Sequence, residues 1–237
     1  MPVTELTAPE FGIRPAPTPQ RPLLGQTVLL IEDSRYASEA VRLLALRSGA
    51  RIRRADCIAS AERHLNTYRP GVAIVDLGLP DGDGLSLIAR LAHAAQRPGV
   101  LLATSGRDRD ETEQAALAAG ADGFLPKPID SLAGFQQAIL QHLPPEMRPR
   151  GLRVVGAETV RPDPLALSED LARADRLLGD AQVTPGFVAD FLTGLARTGR
   201  DPELLAETQG LAARTMGDLR PHLRRLIAKR LRERHAV

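Results

Sequence analysis

Four short apolar runs and one further predicted strand, RIRRADC, lie between residues 27 and 126, and each is followed by a predicted helix. Short apolar runs are typical of strands that are buried on both faces, and the segments between them are long enough to cross the sheet as helices. The alternation predicts an α/β domain with a five-stranded, parallel, doubly wound sheet. The predicted strands span residues 27–31, 51–57, 72–76, 99–105 and 123–126.

Polar side chains follow four of these five strands. Glu32 and Asp33 follow the first strand, Asp76 ends the third, Ser105 ends the fourth, and Lys127 follows the fifth. Because ligands of such sheets bind outside the carboxyl ends of the strands, we expect these side chains to share one crevice. A hard cation such as Mg²⁺ would hold three carboxylates together. Asp76 would then be a nucleophile toward phosphorus, with Lys127 and Ser105 contacting the phosphoryl oxygens.

Residues 25–143 resemble the receiver domain of two-component response regulators. The likeness rests on four short motifs, each at the end of its own predicted strand. They are Glu32-Asp33, VDLGLPDGDG around Asp76, ATSG with Ser105, and GADGFLPKP with Lys127. Each motif alone is common, and their order along the chain makes the resemblance specific.

The resemblance implies a flavodoxin-like receiver fold and phosphorylation of Asp76, with Mg²⁺, by a histidine kinase or phosphotransfer protein. It further implies roles for the remaining positions: Glu32, Asp33, Asp76 and the carbonyl of Gly78 as metal ligands, and Ser105, Lys127 and Phe124 as phosphoryl-binding and switch residues. The family's usual spacing from Lys127 selects Ser105 rather than Thr104. The peptide bond before Pro128 is often cis in this family. Arg107 lies where the family tunes dephosphorylation, or is a solvated loop residue.

Two other α/β domains fit the sequence less well. A flavodoxin-like domain that accepts no phosphate would need Asp76 or Lys127 to be missing, and both are present. A dinucleotide-binding domain would need a glycine-rich loop after the first strand, where the sequence has none.

The segments outside the α/β domain have a different texture. Residues 1–24 are rich in proline and predict a disordered tail. A linker is expected over residues 144–163, with a possible short strand at 152–156. A mainly helical output or dimerisation domain is expected over residues 164–237. Its predicted helices span residues 165–178, 185–197, 202–215 and 219–234. We find no convergent acid, base or nucleophile set there, so we expect no enzymatic output.

The last predicted helix combines an apolar stripe with a basic surface. Residues 214–237 carry eight Lys and Arg residues against two Asp and Glu residues. Such a helix can pack its stripe in a core or a homodimer, or it can present cations to DNA, an acidic protein or a membrane surface. The candidate contact residues for a partner or DNA are Arg220, Arg224, Arg225, Lys229 and Arg230. We expect a protein–protein or oligomerising output, with a DNA-binding transcriptional regulator as the alternative.

Composition narrows the remaining classes of function. Aromatic residues make up 3% of the chain and there is no Trp, so a stacking platform for single-stranded nucleic acid is not expected. A lone cysteine, Cys57, excludes an internal disulfide and a cysteine-built zinc site. The sequence shows neither a signal peptide nor a membrane-spanning run, so we expect a cytoplasmic protein.

Overall fold

The computed structural model describes residues 16–106, 109–151, 156–209, 211 and 219–235. Five of its strands are β1 (Thr27–Ile31), β2 (Arg51–Ala55), β3 (Val72–Asp76), β6 (Val100–Ser105) and β7 (Gly123–Pro126). They form one parallel sheet in the order β2-β1-β3-β6-β7. Directly after β3, the short strands β4 (Gly78–Leu79) and β5 (Gly82–Asp83) pair as a hairpin. The predicted five-stranded parallel sheet is confirmed.

Five helices connect and follow these strands. The side chains of the residues just before some of these helices explain where the helices begin. Ser34 accepts a hydrogen bond from the N–H of Ala37, and Asp83 accepts from the N–H groups of Leu85 and Ser86. These oxygens cap N–H groups that have no partner within the helix. The helices are α1 (Arg35–Arg47), α2 (Ile58–Leu65), α3 (Gly84–Ala92), α4 (Arg109–Ala118) and α5 (Leu132–Leu140).

The sheet separates two apolar clusters, which explains why its strands read as continuous apolar runs. Val28 and Leu30 of β1 point to the cluster that contains α1 and α5. Leu29 and Ile31 point to the opposite cluster, which contains α2, α3 and α4. Strand β1 therefore contributes alternate side chains to two cores, whereas β2 keeps Arg51, Arg53 and Arg54 exposed.

The α/β domain begins before residue 25. Leu23 is fully buried in the cluster under α1 and α5, and its N–H donates to the carbonyl of Ser48 at 2.9 Å. The predicted tail over residues 1–24 is therefore too long at its C-terminal end, because a buried leucine stabilises the last part of it. Residues 1–15 lie outside the described residues.

Part of the predicted linker is also fixed to the α/β domain. Val160 is buried in the same cluster as Leu23, and its N–H donates to the carbonyl of Asp130 at 2.9 Å. The N–H of Leu132 donates to the carbonyl of Glu158 at 3.0 Å. The chain is thus held at residue 160, just before the next helix. The possible strand at 152–156 falls almost entirely outside the described residues.

A helical unit, residues 164–235, follows this anchored segment. It contains α6 (Pro164–Gly179), α7 (Pro185–Thr198), α8 (Pro202–Thr208) and α9 (Leu219–His235). Leu171, Leu192 and Leu223 are buried in its core. The predicted helical C-terminal region is confirmed, although α8 ends at Thr208 rather than at residue 215. Among the described helices, none combines the length and apolar character required to cross a bilayer.

The burial of Leu23 makes the start of the domain testable. We expect Leu23→Ala to lower the free energy of unfolding by about 2–5 kcal/mol, because it opens a cavity in the core. The matched control is Leu46→Ala on α1, whose leucine is 49% exposed and whose loss should cost about 0.5 kcal/mol or less. Urea denaturation monitored by circular dichroism measures both. Equal losses of stability at the two positions would show that Leu23 is not part of the domain core.

Candidate functional site

Three carboxylates converge at the carboxyl edge of the sheet, where the strand order reverses between β1 and β3. Glu32 and Asp33 follow β1, and Asp76 ends β3. Each of the three offers an oxygen that lies within 4.8 Å of the others, and all three side chains are buried. The predicted convergence is therefore present, because neighbouring parallel strands carry their last residues to the same edge.

Lys127 joins the carboxylates from the end of β7. Its Nζ lies 2.6 Å from Glu32 Oε2 and 3.1 Å from Asp76 Oδ2, and only 8% of its side chain is exposed. The Lys127–Pro128 peptide bond is cis. One ammonium group thus bridges two of the three acids in a region from which water is largely excluded.

Burial and mutual repulsion set the protonation of this cluster. Burial raises the pKa of Glu32 to about 8, against the attraction of Lys127 and with the help of the Asp76 charge. Burial likewise raises the pKa of Asp33 to about 7, although Arg173 opposes the shift. Burial alone would lower the pKa of Lys127, but the Asp76 and Glu32 carboxylates outweigh it and raise that pKa. The shifts at Glu32 and Asp33 both disfavour the charged carboxylates, and a bound cation would oppose them.

The donor set fits a hard divalent cation. Asp33 Oδ2 is buried and accepts no hydrogen bond from the described residues, so it can still serve as a metal ligand. Gly78 lines the same cavity, and a Cβ built at this glycine would lie 3.9 Å from Asp76 Oδ2. Oxygen ligands from carboxylates, a carbonyl and water are those that Mg²⁺ prefers.

The predicted switch residues lie beside the acids. Ser105 is buried and lines the cavity that contains Asp76 and Lys127. The hydroxyl of Thr104 is buried and has no hydrogen-bond partner within the described part of the chain. Phe124 is buried in the core cluster under α3 and α4, two strands away from Asp76, with β6 between them. Arg107 lies outside the described residues.

Helix α6 contributes two charged residues that the sequence reasoning missed. Arg173 donates a hydrogen bond to the carbonyl of Asp33, and its Nη2 lies 3.3 Å from Asp33 Oδ2. Asp170 is fully buried. It accepts hydrogen bonds from Ser34 Oγ at 2.7 Å and from the N–H groups of Arg35 and Tyr36 at 2.9 and 3.0 Å. Their spacing of three on a helix was visible, but a local pattern gives no sign of a partner more than 130 positions away.

Helix α7 covers the mouth of the site. A cavity of about 280 Å³ is lined on one side by the acids and Lys127 and on the other by α7 side chains, among them Phe187 and Phe191. Arg197 donates a hydrogen bond to the carbonyl of Gly106, the residue after Ser105. A Cβ on Gly106 would lie 3.0 Å from the Cα of Gly194, so the two backbones are in close contact.

The basic residues of α9 are arranged differently from the predicted partner surface. Arg220 donates to the carbonyls of Leu178, Asp180 and Val183, and so caps the end of α6. Arg230 is buried and pairs with Asp201 at 3.2 Å.

Glu203 of α8 pairs with both Lys229 and Arg230, at 2.7 and 3.1 Å. Three of the five predicted contact residues therefore make contacts inside the helical unit. Arg220 binds backbone carbonyls, and Lys229 and Arg230 bind carboxylates of Asp201 and Glu203. Arg224 and Arg225 are exposed, and the apolar stripe of α9 lies in the helical core.

Comparison with known proteins identifies the α/β domain. Residues 28–139 match the family model of the response regulator receiver domain. The chain is 34% identical over 116 residues to the virulence transcriptional regulatory protein PhoP of Salmonella typhimurium, covering 48% of this chain and 51% of that protein. The sequence identity to the transcriptional regulatory protein PhoP of Escherichia coli O157:H7 is also 34%, over 117 residues that cover 48% of this chain and 52% of that protein. The chain thus spans about half the length of the curated relatives it matches.

A match to a solved structure also covers about half of this chain. A putative response regulator from Chloroflexus aurantiacus is 24% identical, with a TM-score of 0.44, and the match covers 49% of this chain and 92% of that one. The family-model match over residues 28–139 confirms the predicted receiver domain, and receiver domains generally bind Mg²⁺ at an acidic pocket. The helical unit lies outside the residues matched by the family model.

The role of Asp33 as a metal ligand can be tested, because its Oδ2 accepts no hydrogen bond from the described residues. We expect Mg²⁺ at about one hundred times its dissociation constant to stabilise the folded chain by about 2.7 kcal/mol, because it binds only the folded acids. Asp33→Asn should remove most of this gain. The control is Glu111→Gln, which removes an exposed carboxylate of α4 and should leave the gain unchanged. Thermal unfolding with and without Mg²⁺ measures the effect, and full stabilisation of Asp33→Asn would exclude Asp33 as a ligand.

Proposed function

We propose that this chain, whose residues 28–139 form a response regulator receiver domain, is a phosphorylation-switched regulator. Asp76 accepts a phosphoryl group, in the presence of Mg²⁺, from a histidine kinase or phosphotransfer protein. The helical unit then delivers the output through contacts with protein, either a partner or a second copy of the chain. The observation that supports this proposal best is the buried cluster of Glu32, Asp33 and Asp76 with Lys127 at its centre.

The residues of the site divide the work of phosphoryl transfer. An oxygen of Asp76 attacks phosphorus and forms a new O–P bond, while the N–P bond of a phosphohistidine donor breaks and the leaving imidazole retains the electron pair and takes up a proton. Lys127, already 3.1 Å from Asp76, is placed to contact an oxygen of the arriving group. Bound Mg²⁺, held by Glu32, Asp33, Asp76 and the Gly78 carbonyl, would supply charge neutralisation at the phosphoryl oxygens.

Ser105 and Phe124 are the residues whose conformation would change when Asp76 is phosphorylated. Ser105 lines the cavity, so its hydroxyl can follow an oxygen that arrives at Asp76. A movement of Ser105 is passed directly to Gly106, which contacts α7. Phosphorylation would therefore bias two arrangements of this loop and of the elements packed on it.

An output through protein contacts agrees with how the helical unit uses its surface. It already binds a protein surface, since Asp170 and Arg173 are placed against the receiver domain. The apolar residues of α9 face the helical core, and three of its cations pair inside the unit. We find no cluster of catalytic groups among its described residues, so the proposed output is binding rather than catalysis.

DNA binding remains the alternative output. The PhoP relatives carry names of transcriptional regulators, but the match to them covers about half of each protein. Among the α9 arginines whose exposure the structure describes, Arg224, Arg225 and Arg232 are exposed. A surface of this kind could contact phosphates without reading sequence.

The acceptor assignment is tested with a small phosphodonor. Asp76→Asn should abolish covalent labelling of the chain, because an amide oxygen is a poor nucleophile toward phosphorus. Asp81→Asn, in the same loop and exposed, is the matched control and should be labelled like the unmodified chain. Phosphoprotein gel electrophoresis or intact-mass spectrometry detects the adduct. Persistent labelling of Asp76→Asn would move the acceptor to another residue.

The salt dependence of DNA binding separates the two outputs. Each phosphate neutralised by an arginine contributes about −0.9 to the slope of log K against log salt. If α9 binds DNA, replacing Arg224 and Arg225 with Ala should make the slope shallower by about 2. Under a protein-directed output we expect weak binding to a generic duplex and no change in slope. Fluorescence anisotropy over a salt series, with and without beryllofluoride and Mg²⁺, measures both the affinity and its salt dependence.

A further inference from the structure

We propose that the helical unit is a cover over the acidic pocket, with Arg173 taking the place of the metal's positive charge, and that Mg²⁺ with a phosphoryl group displaces it. This inference rests on the proposed function, because it concerns the regulation of that same site. The cover is made of α6 and α7, and it contacts the receiver domain at α1 and at the loop after β6.

Arg173 is the residue that competes with the cation. Its guanidinium lies 3.3 Å from Asp33 Oδ2, an oxygen that otherwise accepts no hydrogen bond from the described residues. The ring of Phe191 lies 5.6 Å from the same guanidinium and holds it from the other side. Two positive charges bound to one carboxylate repel each other strongly at such distances. Occupancy by Mg²⁺ therefore disfavours Arg173 in this position.

Asp170 fixes the cover to the first helix of the receiver domain. Helix α1 has no acidic residue in its first turn, and Asp170 supplies the negative charge from α6. Its carboxylate accepts three hydrogen bonds from Ser34, Arg35 and Tyr36, and it interacts favourably with the positive end of the helix dipole. Ser34 follows Asp33 directly. The attachment point of the cover and the metal-binding acids are thus parts of one short loop.

Helix α7 connects the cover to the switch loop. Arg197 binds the carbonyl of Gly106, and Gly194 is packed against Gly106 itself. A backbone shift at Ser105 toward an incoming phosphoryl group would also move Gly106 against α7. Because coupling between two binding events is reciprocal, a phosphoryl group that loosens the cover must bind more tightly when the cover is absent.

The decisive measurement is the Mg²⁺ affinity of the full chain, by isothermal titration calorimetry. Arg173→Ala and Asp170→Asn should each tighten Mg²⁺ binding about tenfold, a typical size for such coupling. Arg176→Ala is the control, since it removes an exposed arginine one turn further along α6 and should change the affinity by about twofold or less.

Asp170→Asn excludes a simple electrostatic explanation. Loss of a negative charge near Asp33 should weaken cation binding if the cover plays no part, so tighter binding supports the cover and weaker or unchanged binding overturns it. Should this variant unfold the helical unit, the pocket is uncovered as well and the same tightening is expected. Circular dichroism and thermal unfolding show which case applies.

Hydrogen exchange provides the reciprocal test in the unmodified chain. Adding Mg²⁺ and beryllofluoride should increase amide exchange in α6 and α7, and unchanged protection there overturns the proposal. Neither readout depends on phosphate transfer. If labelling of Asp76 fails, the proposed function falls. If labelling succeeds but Mg²⁺ affinity is equal in all variants, the proposal of a cover is rejected and the proposed function stands.

Discussion

Three buried carboxylates lie closer together than their charges favour, and the rest of the structure depends on how that repulsion is balanced. The strand ends fix Glu32, Asp33 and Asp76 within 4.8 Å of each other. A cluster of this kind is destabilising unless cations and hydrogen-bond donors surround it. Lys127 neutralises part of it from the end of β7. The remaining charge attracts whatever cation can reach the pocket.

From the described residues we identify two further sources of positive charge for that pocket. One is the metal for which the oxygen ligands are suited, and the other is Arg173, which belongs to the chain itself. A protein that supplies its own cation reduces the cost of the empty site, and it also makes the empty and loaded forms structurally different. Signalling proteins need two such forms separated by only a few kcal/mol. The helical unit is then more than an attachment, because its position depends on the charge state of the receiver domain.

The sequence predicted the parts of this arrangement that follow from local order. Asp76 and Lys127 could be placed because each ends or follows its own apolar run, and parallel strands bring such ends together. Asp170 and Arg173 could not be placed, since a charged pair on an amphipathic helix has the same pattern whether it faces water or a distant domain. The same ambiguity hid the internal contacts of Arg220, Lys229 and Arg230, whose partners lie in α6, α8 and the loops beside them. Leu23 and Val160 were missed because single apolar residues among prolines and polar residues carry no periodicity.

The anchoring of Val160 limits how far the helical unit can travel. Pro164, the first residue of α6, lies four positions beyond this buried valine. Because an extended chain spans at most about 3.5 Å per residue, the start of α6 stays within about 14 Å of residue 160. The unit would therefore swing on a short tether rather than diffuse away. Its effective concentration at the receiver domain remains high, so even a weak intrinsic affinity restores the closed arrangement once the phosphoryl group is lost.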